Sequence, residues 1–529
     1  MSFLGSILDS PYNVPAADGV YGYKAPVASS SVGNITTSTV VLYGPATWGK
    51  ANVPIVSGTD DGSLWDAIGG SYPLVNGQPY GSPLLEQAMC AADPGFALSS
   101  IVLVPQRDGT ETAAQMPMVD TTGAQLGFYI GISEGTRGNS GQNVTVPSLL
   151  STTTNPLYDV TLPIANGSVE RFASIIAYAT VGGGYNKAAF LANLSAAVNS
   201  GVGGSRGPSR YWVWIASGAG AGAPAAAPQT ASGGTDGASG LTTAIQLGSS
   251  SQGATSGLAA AQQYITGATF GVCGLTDPAS FPSQEAFAKA NLAMGIYAFP
   301  AFTTTTNLIA TKTANAMLQS DMITVKKFVN IFDRIMGQVR LVSSMGFSCA
   351  MQASRAPEES FANKVAATLI LSVEDGTSPN VSEASQLSLS GTTYWKQVSG
   401  QFVMANGNNA SGAQDATGQA NFVRMSNFIM LLGFAVLQPY LEALQGDDAD
   451  EDTIGTRAQA KKALETAYGN LKRARRISGY KVTLGASNNQ PATTDVGEMF
   501  ATSQLAFLKT IRRIVNSVDA SGTLTGSFL

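Results

Sequence analysis

The chain has 529 residues, of which 44% are hydrophobic and only 12% charged, with a formal net charge of −5. This length predicts roughly three or four packed units rather than one core. The negative balance argues against a nucleic-acid-binding protein, because phosphate recognition depends on concentrated lysine and arginine. A surface so poor in charge is only weakly self-repelling, which favours a protein whose sides are covered by neighbours; a merely neutral surface is the simpler alternative.

The residues that most catalytic and metal sites require are scarce. The chain has no histidine, and its cysteines, Cys90, Cys273 and Cys349, are far apart with no Cys-x-x-Cys pair. We therefore expect reduced, buried thiols, with neither a zinc site nor a disulfide framework. The longest apolar run, residues 428–437, is well short of the roughly 20 residues that span a bilayer. Since the first residues also lack a basic segment, we expect neither export nor membrane insertion.

Residues 1–36 predict an extended N-terminal arm. They are rich in Pro, Ala, Gly and Ser and show no sustained period, but they contain scattered apolar side chains such as Tyr12, Val14 and Tyr21. A disordered leader is the alternative, although such leaders are poor in aromatic residues. We expect this arm to be ordered by docking on another surface.

Residues 37–108 have the pattern of an α/β unit. Two Val- and Leu-rich strands, at 38–44 and at the start of 101–109, flank a helical segment at 84–92. The pattern predicts the first part of an α/β domain.

Residues 109–217 predict a mostly-β insertion. Short β-branched or aromatic segments separated by turns lie at 142–146, 158–162 and 211–215. Such spacing is typical of antiparallel strands, and one helix is expected near 187–199.

Residues 218–395 predict a linker and the rest of the α/β domain. The stretch 218–240 is of low complexity, rich in Gly, Ala, Pro and Ser, and is expected to be a surface loop or an interdomain link. Helix-like and strand-like segments then alternate as in βα units, at 258–265, 268–275, 282–293 and 295–299. This alternation predicts a parallel or mixed sheet.

Residues 396–513 predict a C-terminal domain with two helices. One helix is apolar, at 421–444, and the other is basic and amphipathic, at 457–476. The segment 505–518 is ambiguous: apolar residues at spacings of three or four favour a helix, whereas a family resemblance given below implies that part of it is a strand, and we expect a helix followed by a strand. Residues 514–529 predict a C-terminal arm.

Two possible nucleotide or hydrolase motifs are incomplete. Residues 44–51 almost form a phosphate-binding loop, but Ala51 stands where magnesium requires Ser or Thr, and Pro54 follows where a helix should begin. Ser133 has nucleophile-elbow spacing, but without histidine a Ser-His-Asp mechanism is excluded, and only rarer Ser-Lys arrangements remain.

The acidic run at residues 447–452 is an incomplete calcium loop. Asp448, Asp450 and Asp452 have the right spacing, but Thr453 replaces the glycine and Gln459 the bidentate glutamate. A solvated acidic turn is the better interpretation. The sequence thus predicts no catalytic, cofactor-binding or metal-binding residue.

Four short segments carry a resemblance to a known family. Most combine turn-forming Gly or Asn with charged residues near apolar runs, and they read Arg-Asp-Gly-Thr (107–110), Gly-Thr-Arg-Gly-Asn (135–139), Val-Glu-Arg-Phe (169–172) and Gly-Gly-Thr-Asp-Gly (233–237). In this order and spacing they resemble the contractile tail sheath proteins of bacteriophages. The strand at 38–44 and residues 477–482 extend the resemblance, which does not cover about 321–391.

The resemblance implies a mixed α+β multidomain fold. Its parts would be a subtilisin-like α/β sheet domain, an inserted mostly-β domain, an α/β C-terminal inner domain and extended terminal arms. It implies a structural subunit, not an enzyme, that assembles in the host bacterial cytoplasm into the tail sheath of a virion. Six copies form each ring, and rings stack helically around a tail tube and contract to drive it through the host envelope. The implied partners are further copies, the tail tube, baseplate and tail terminator proteins, with no cofactor and no direct nucleic-acid contact.

The resemblance also implies two sets of assembly residues. In this family the arms add strands to a sheet in a neighbouring subunit, and the candidate arm residues are Phe3, Leu4, Tyr12, Val14, Tyr21, Ile514, Val515, Val518, Leu524 and Phe528. The basic helix could face an acidic tube, and a plain solvated helix face is the equal alternative. Its candidate residues are Lys461, Lys462, Lys472, Arg473, Arg475 and Arg476.

Two other classes of protein share some of these features. A non-contractile virion protein, such as a capsid or tube component, or a surface-layer subunit would have the same low charge and arms. A hydrolase on the α/β portion is the third hypothesis.

Overall fold

The computed structural model describes residues 5–8, 20–23, 39–68, 82–98, 100–140, 142–163, 169–202, 207–248, 256–326, 328–333, 338–374, 379–440, 443, 454–489 and 499–508. The chain divides into two compact units. The main unit comprises Met1–Val27 and Gly33–Ala443, and the C-terminal unit comprises Ala28–Val32 and Leu444–Leu529.

The strands of the main unit are, in chain order, β1 (Gly5–Leu8), β2 (Val20–Tyr23), β3 (Val40–Gly44), β4 (Ile55–Ser57), β5 (Ile101–Pro105), β6 (Gln115–Val119), β7 (Gln125–Gly131), β8 (Gln142–Pro147), β9 (Leu157–Pro163), β10 (Val169–Ile176), β11 (Trp212–Ala216), β12 (Gln229–Thr230), β13 (Thr269–Val272), β14 (Met294–Ala298), β15 (Met322–Lys326), β16 (Phe328–Asp333), β17 (Gln338–Ser343), β18 (Val365–Ala367), β19 (Ile370–Val373), β20 (Thr392–Val398) and β21 (Gln401–Met404). Its helices are α1 (Asp61–Ile68), α2 (Pro83–Ala91), α3 (Lys187–Ser195), α4 (Thr243–Leu247), α5 (Gln262–Ile265), α6 (Phe281–Ala290), α7 (Thr305–Ala314), α8 (Met345–Ala353), α9 (Val381–Leu389) and α10 (Ala420–Leu437). The C-terminal unit contains α11 (Thr456–Arg473), β22 (Ile477–Thr483) and β23 (Thr502–Phe507).

A nine-stranded sheet forms the centre of the main unit, in the order β18-β21-β20-β15-β14-β13-β3-β5-β4. The run from β20 to β5 is parallel, and β4 and β21 pair antiparallel with their neighbours, so the sheet is mixed, as predicted. All residues of β3 and β5 are buried, because helices cover both faces. Val40 and Leu42 pack on one face with α2 and α8, and Val41 and Tyr43 pack on the other with α6 and α7.

The residues between β5 and α4 form two antiparallel sheets, ordered β10-β9-β8-β12 and β11-β7-β6. The strands expected at 142–146, 158–162 and 211–215 are present as β8, β9 and β11. The inner faces of both sheets share one core with α3, which contains Tyr129, Phe172 and Phe190. The Trp212 indole Nε1 donates to the Pro163 carbonyl across the two sheets at 2.8 Å.

The low-complexity stretch at 218–240 is more regular than the expected loop or link. It supplies β12, which pairs with β8, and isolated bridges from Pro224, Ser232 and Thr235 to the β6 region. Its small side chains allow this close backbone approach, which composition alone does not reveal.

The region from 321 to 391, outside the sequence resemblance, also folds regularly. It contributes β15 to the central sheet, and β16, β17 and β19 form a separate three-stranded sheet in the order β17-β16-β19. Val329, Ile331 and Val342 on its inner face join the core beneath α2 and α8.

The apolar helix predicted at 421–444 is present as α10. Together with the turn after it, Ala420–Tyr440, it is one helical stretch among the described residues with the length and hydropathy of a membrane span. Just over half of that stretch is buried, and Leu431 and Phe434 pack against Leu292, as in a core helix.

The C-terminal unit consists, in its described part, of α11 and the antiparallel pair of β22 with β23. Ala460, Leu464 and Tyr468 recur every four residues and form the buried stripe of α11. The sequence-based expectation of a helix from 505 is wrong over 505–507, which belong to β23. Pairing with β22 outweighs the helical spacing of the apolar residues there; residues 509–518 lie outside the described part.

Candidate functional site

Three of the four segments that carry the resemblance meet at one place in the main unit. The chain leaves the central sheet at the end of β5, enters the inserted strands, and returns just before α4. Residues 107–110, 135–139 and 233–237 all lie at this point, which we call the junction. Residues 169–172 lie elsewhere, on β10, where the Glu170 carboxylate accepts from the Arg210 backbone N–H at 3.2 Å.

Arg107 is the buried centre of the junction. Its Nε and one terminal nitrogen donate to the Gly49 carbonyl at 3.2 and 2.9 Å. The same terminal nitrogen donates to the Glu134 carbonyl at 3.0 Å, and the other donates to the Asp236 carbonyl at 2.6 Å. The planar guanidinium thereby joins a loop of the central sheet to both the outgoing and the returning chain.

The segments 135–139 and 233–237 also bind each other directly. The Asp236 carboxylate accepts from the Thr136 N–H at 2.7 Å and from the Thr136 hydroxyl at 3.0 Å. The Asn139 amide donates to the Gly234 carbonyl at 2.7 Å and accepts from the Gly234 N–H at 2.8 Å. Burial raises the pKa of Asp236, although the Thr136 donors and the Arg107 charge oppose that rise.

Asp108 closes two turns at the exposed edge of the junction. Its carboxylate accepts from the Thr110 hydroxyl at 2.6 Å, from the Thr110 N–H at 2.9 Å and from the Gly240 N–H at 2.7 Å. These donors, led by the Thr110 hydroxyl, lower the pKa of Asp108. An aspartate that closes two turns in this way is structural.

An aromatic stack completes the junction. The Arg137 guanidinium lies 5.2 Å from the ring centres of both Trp48 and Tyr211. Trp48 belongs to the loop after β3, yet its side chain packs in the core of the inserted strands. Gly135 makes this approach possible: its φ is 124°, and a Cβ there would lie 1.9 Å from the Thr47 carbonyl oxygen.

The junction is therefore a clamp. Hydrogen bonds, a cation–π stack and a shared core fix the inserted strands to the central sheet at several independent points. Sequence analysis identified its segments but not the Trp48–Arg137–Tyr211 stack, whose members are distant in the chain and give no local signal.

The apparent nucleotide and hydrolase motifs take part in this clamp. The loop at 44–51 presents the Gly49 carbonyl to Arg107, whereas a phosphate site would need amide donors there. Ser133 is buried beside the junction. Among the described residues, no group of three or more Cys, Asp or Glu side chains could hold a metal ion.

A second polar cluster lies under α7 in the main unit. The fully buried Lys312 donates through Nζ to the Thr324 hydroxyl at 2.9 Å and to the carbonyls of Ser390, Ala410 and Gly391 at 2.6, 3.0 and 3.3 Å. Burial lowers the pKa of Lys312 to about 7. The ammonium ties α7 to β15 and to the turns on either side of β20 and β21.

The candidate tube-facing residues all lie on or just after α11. Lys462, Lys472, Arg473 and Arg475 are exposed, and Lys461 and Arg476 are half-exposed. Eleven residues, about three helical turns, separate Lys462 from Arg473, so both lie opposite the buried stripe. The structure thus places a basic surface on this helix.

The candidate arm residues fall mainly outside the described part of the chain; these are Phe3, Leu4, Tyr12, Val14, Ile514, Val515, Val518, Leu524 and Phe528. Tyr21 lies on β2, which pairs in parallel with β1. In the C-terminal unit, β22 pairs only with β23 within the described residues. The Asn489 side chain fixes the start of β23 by accepting from the Phe500 N–H at 2.6 Å and donating to its carbonyl at 2.9 Å.

Comparison with solved structures identifies this fold. The sheath tail protein of Desulfitobacterium hafniense matches with a TM-score of 0.56 and 14% identity, over 92% of this chain and 100% of that one. The sheath tail protein of Listeria innocua matches with a TM-score of 0.56 and 14% identity, over 90% of this chain and 97% of that one. No family model and no curated protein matches the sequence. The chain has the fold of sheath tail proteins, which confirms the predicted resemblance at the level of the fold.

Proposed function

We propose that this protein is the structural subunit of a contractile tail sheath. Copies form six-membered rings that stack helically around a tail tube, and contraction drives the tube through the host envelope. The observation that carries the proposal is the fold likeness, which extends over the whole length of a sheath tail protein. The proposal includes assembly in the host cytoplasm, incorporation into a virion, and contact with tube, baseplate and terminator proteins, without a catalytic step or a cofactor.

The proposed domain roles follow the chain. Residues 37–108 and 218–395 form the subtilisin-like domain, 109–217 the inserted domain and 396–513 the inner domain, with arms at 1–36 and 514–529. The clamped junction supports a rigid body that can be repositioned without refolding. Energy is then stored in the contacts between copies, and contraction passes from a metastable lattice to one with more favourable contacts.

The outer edge of β22 supports strand addition as the link between copies. An unpaired strand edge presents backbone N–H and C=O groups that another chain can bind. We assign the arms of neighbouring copies to this edge. Main-chain hydrogen bonds of this kind link copies head to tail, which generates an open helical lattice.

Electron microscopy of the purified protein tests the proposal. Wide, hollow sleeves are expected, whereas narrow tubes or flat sheets would favour a tube component or a surface-layer subunit. Removal of residues 1–24 should leave a folded monomer that no longer polymerises. Sleeves of normal length built by a variant lacking both arms would contradict strand addition.

A further inference from the structure

The inserted domain has an uncharged apolar surface on its β11-β7-β6 sheet. The strand register places Val213 opposite Ile130, and Ile215 opposite Phe128, whose other neighbour is Pro117 on β6; all five lie on the face that points away from the core. Val213 and Ile215 are 36% and 39% exposed. We call this group of five residues the β7–β11 face.

The β10-β9-β8 sheet has a second apolar surface. Val144 and Val146 on β8, and Val169 and Ile176 on β10, share its outer side according to the strand register. Val169 and Ile176 are 54% and 42% exposed. This side also carries one ion pair, in which the exposed Arg171 guanidinium donates to the buried Asp159 carboxylate at 2.5 Å, so it has no net charge. We call Val144, Val146, Val169 and Ile176 the β8–β10 face.

The two faces point in opposite directions. The inner sides of both sheets contribute to one core, with Tyr129 from β7 and Phe172 from β10, so the outer sides lie on opposite sides of the same domain. The faces are also unlike each other in sequence and strand order. One molecule therefore carries two different apolar surfaces, one on each side.

The lack of net charge on both faces indicates which kind of partner can bind them. A strongly acidic or basic partner would lose hydration without gaining an ion pair, which is costly. An apolar face without net charge fits another apolar face without net charge, and these two surfaces meet that requirement for each other. Unlike faces on opposite sides of a subunit give a head-to-tail contact, which repeats from copy to copy.

From this geometry we infer that the inserted domains of adjacent copies contact each other, with the β7–β11 face of one copy on the β8–β10 face of the next. This inference rests on the proposed function, because it needs polymerised copies. It adds a side-chain contact in the inserted domain to the backbone contacts of the arms. The partner is a second copy of this chain.

Cysteine labelling in sleeves assembled from the purified protein alone tests the contact. The native cysteines are fully buried, so a new surface thiol is the reactive one. The variants are Val213→Cys for the β7–β11 face and Val169→Cys for the β8–β10 face. Val398→Cys is the control, at a strand residue of comparable exposure outside the inserted domain. The expected result is that a maleimide labels both face variants at least tenfold more slowly in sleeves than in monomers, and labels the control at a similar rate in both.

Crosslinking then identifies which faces meet. A bismaleimide should link the double variant Val169→Cys/Val213→Cys into a ladder of dimers, trimers and longer chains, while each single variant stays unlinked. Dimers formed by a single variant would show like faces in contact and overturn the inference. Ile215→Cys and Ile176→Cys serve as second positions if either first variant has a lowered melting temperature.

The outcomes separate this inference from the proposed function. Sleeves that form while both face cysteines keep their monomer labelling rate overturn the inference alone. Protection that arises only after another protein is added assigns the faces to that protein and also overturns it. A wild-type protein that forms no sleeves contradicts the proposed function, and the inference with it.

Discussion

Backbone polar groups find their partners differently in two regions of the molecule. One region is the junction, in the main unit, and the other is the β22–β23 pair, in the C-terminal unit. At the junction, Arg107 alone satisfies carbonyls of Gly49, Glu134 and Asp236, and side chains close the remaining turns. In the C-terminal unit, β22 has one strand partner among the described residues, which is β23. The contrast teaches that side chains hold the inserted strands to the central sheet, whereas the described C-terminal strands are held to each other by backbone pairing.

The largest expected effect comes from breaking the junction at Arg107. Arg107→Met removes a buried guanidinium that donates to three carbonyls, and we expect a loss of about 4 kcal/mol in the free energy of unfolding of the main unit. Urea unfolding measures this loss, and limited proteolysis should show cleavage near residues 218–240. The matched control is Arg210→Met, an exposed arginine among the same inserted strands, whose side chain should contribute at most about 1 kcal/mol. Equal losses for the two variants would refute the clamp.

Gly135→Ala tests whether the inserted strands must approach the loop after β3 closely for the protein to be stable. The substitution combines a strained φ of 124° with a Cβ lying 1.9 Å from the Thr47 carbonyl oxygen. We expect destabilisation of about 3 kcal/mol. Gly123→Ala provides the control, because its φ is 85° and nothing lies within 4 Å of the added Cβ, so only about 1 kcal/mol is expected. Thermal unfolding of both variants separates the clash from the backbone strain.

Because of Lys312, we expect the free energy of unfolding of the main unit to depend on pH. Its pKa of about 7 in the folded protein lies below the ordinary value of 10.5, so between these values the unfolded chain holds a proton that the folded chain lacks. Stability should therefore rise with pH across this window, by about 1 kcal/mol per pH unit from this group.

Urea unfolding at several pH values measures that slope. Lys312→Met should abolish it, and it also removes the lysine donor to the Ser390 and Ala410 carbonyls, while the Gly391 carbonyl keeps the Thr324 hydroxyl at 3.0 Å. Thr313→Met, on the exposed side of the same helix, replaces no ionisable group and should leave the slope unchanged. An identical slope in wild type and Lys312→Met would show that the side chain titrates normally in the folded protein.

The smallest effect on stability is expected from the basic face of α11. Charge reversal at Lys472, Arg473 and Arg476 should change the melting temperature of the monomer little, since exposed charges contribute little to folding. It should weaken assembly on the tube, most strongly at low salt, where exposed charges are least screened. Sedimentation with purified tube protein at two salt concentrations measures this. Unchanged assembly would favour the solvated-face interpretation.

Elements that depend on local patterns of apolar residues were predictable, and elements that depend on contacts between distant segments were not. Strands β3 and β5 and helix α11 were predictable, because burial on both faces or on one stripe leaves a visible pattern of apolar residues. The strand at 505–507 was not, because its pairing with β22 involves residues outside the local window. The junction segments were recognised as turns with charge, but nothing local indicated that 107–110, 135–139 and 233–237 meet.

The sequence by itself determined the alternation of helices and strands, the scarcity of charge, the absence of histidine and the resemblance to a sheath. Each of these depends on composition or on spacing within a short segment. The tertiary structure alone decided that Arg137 lies between Trp48 and Tyr211, and that two apolar faces point away from one core. Such contacts depend on how distant segments pack, and packing is a property of the whole chain, which no single stretch of residues encodes.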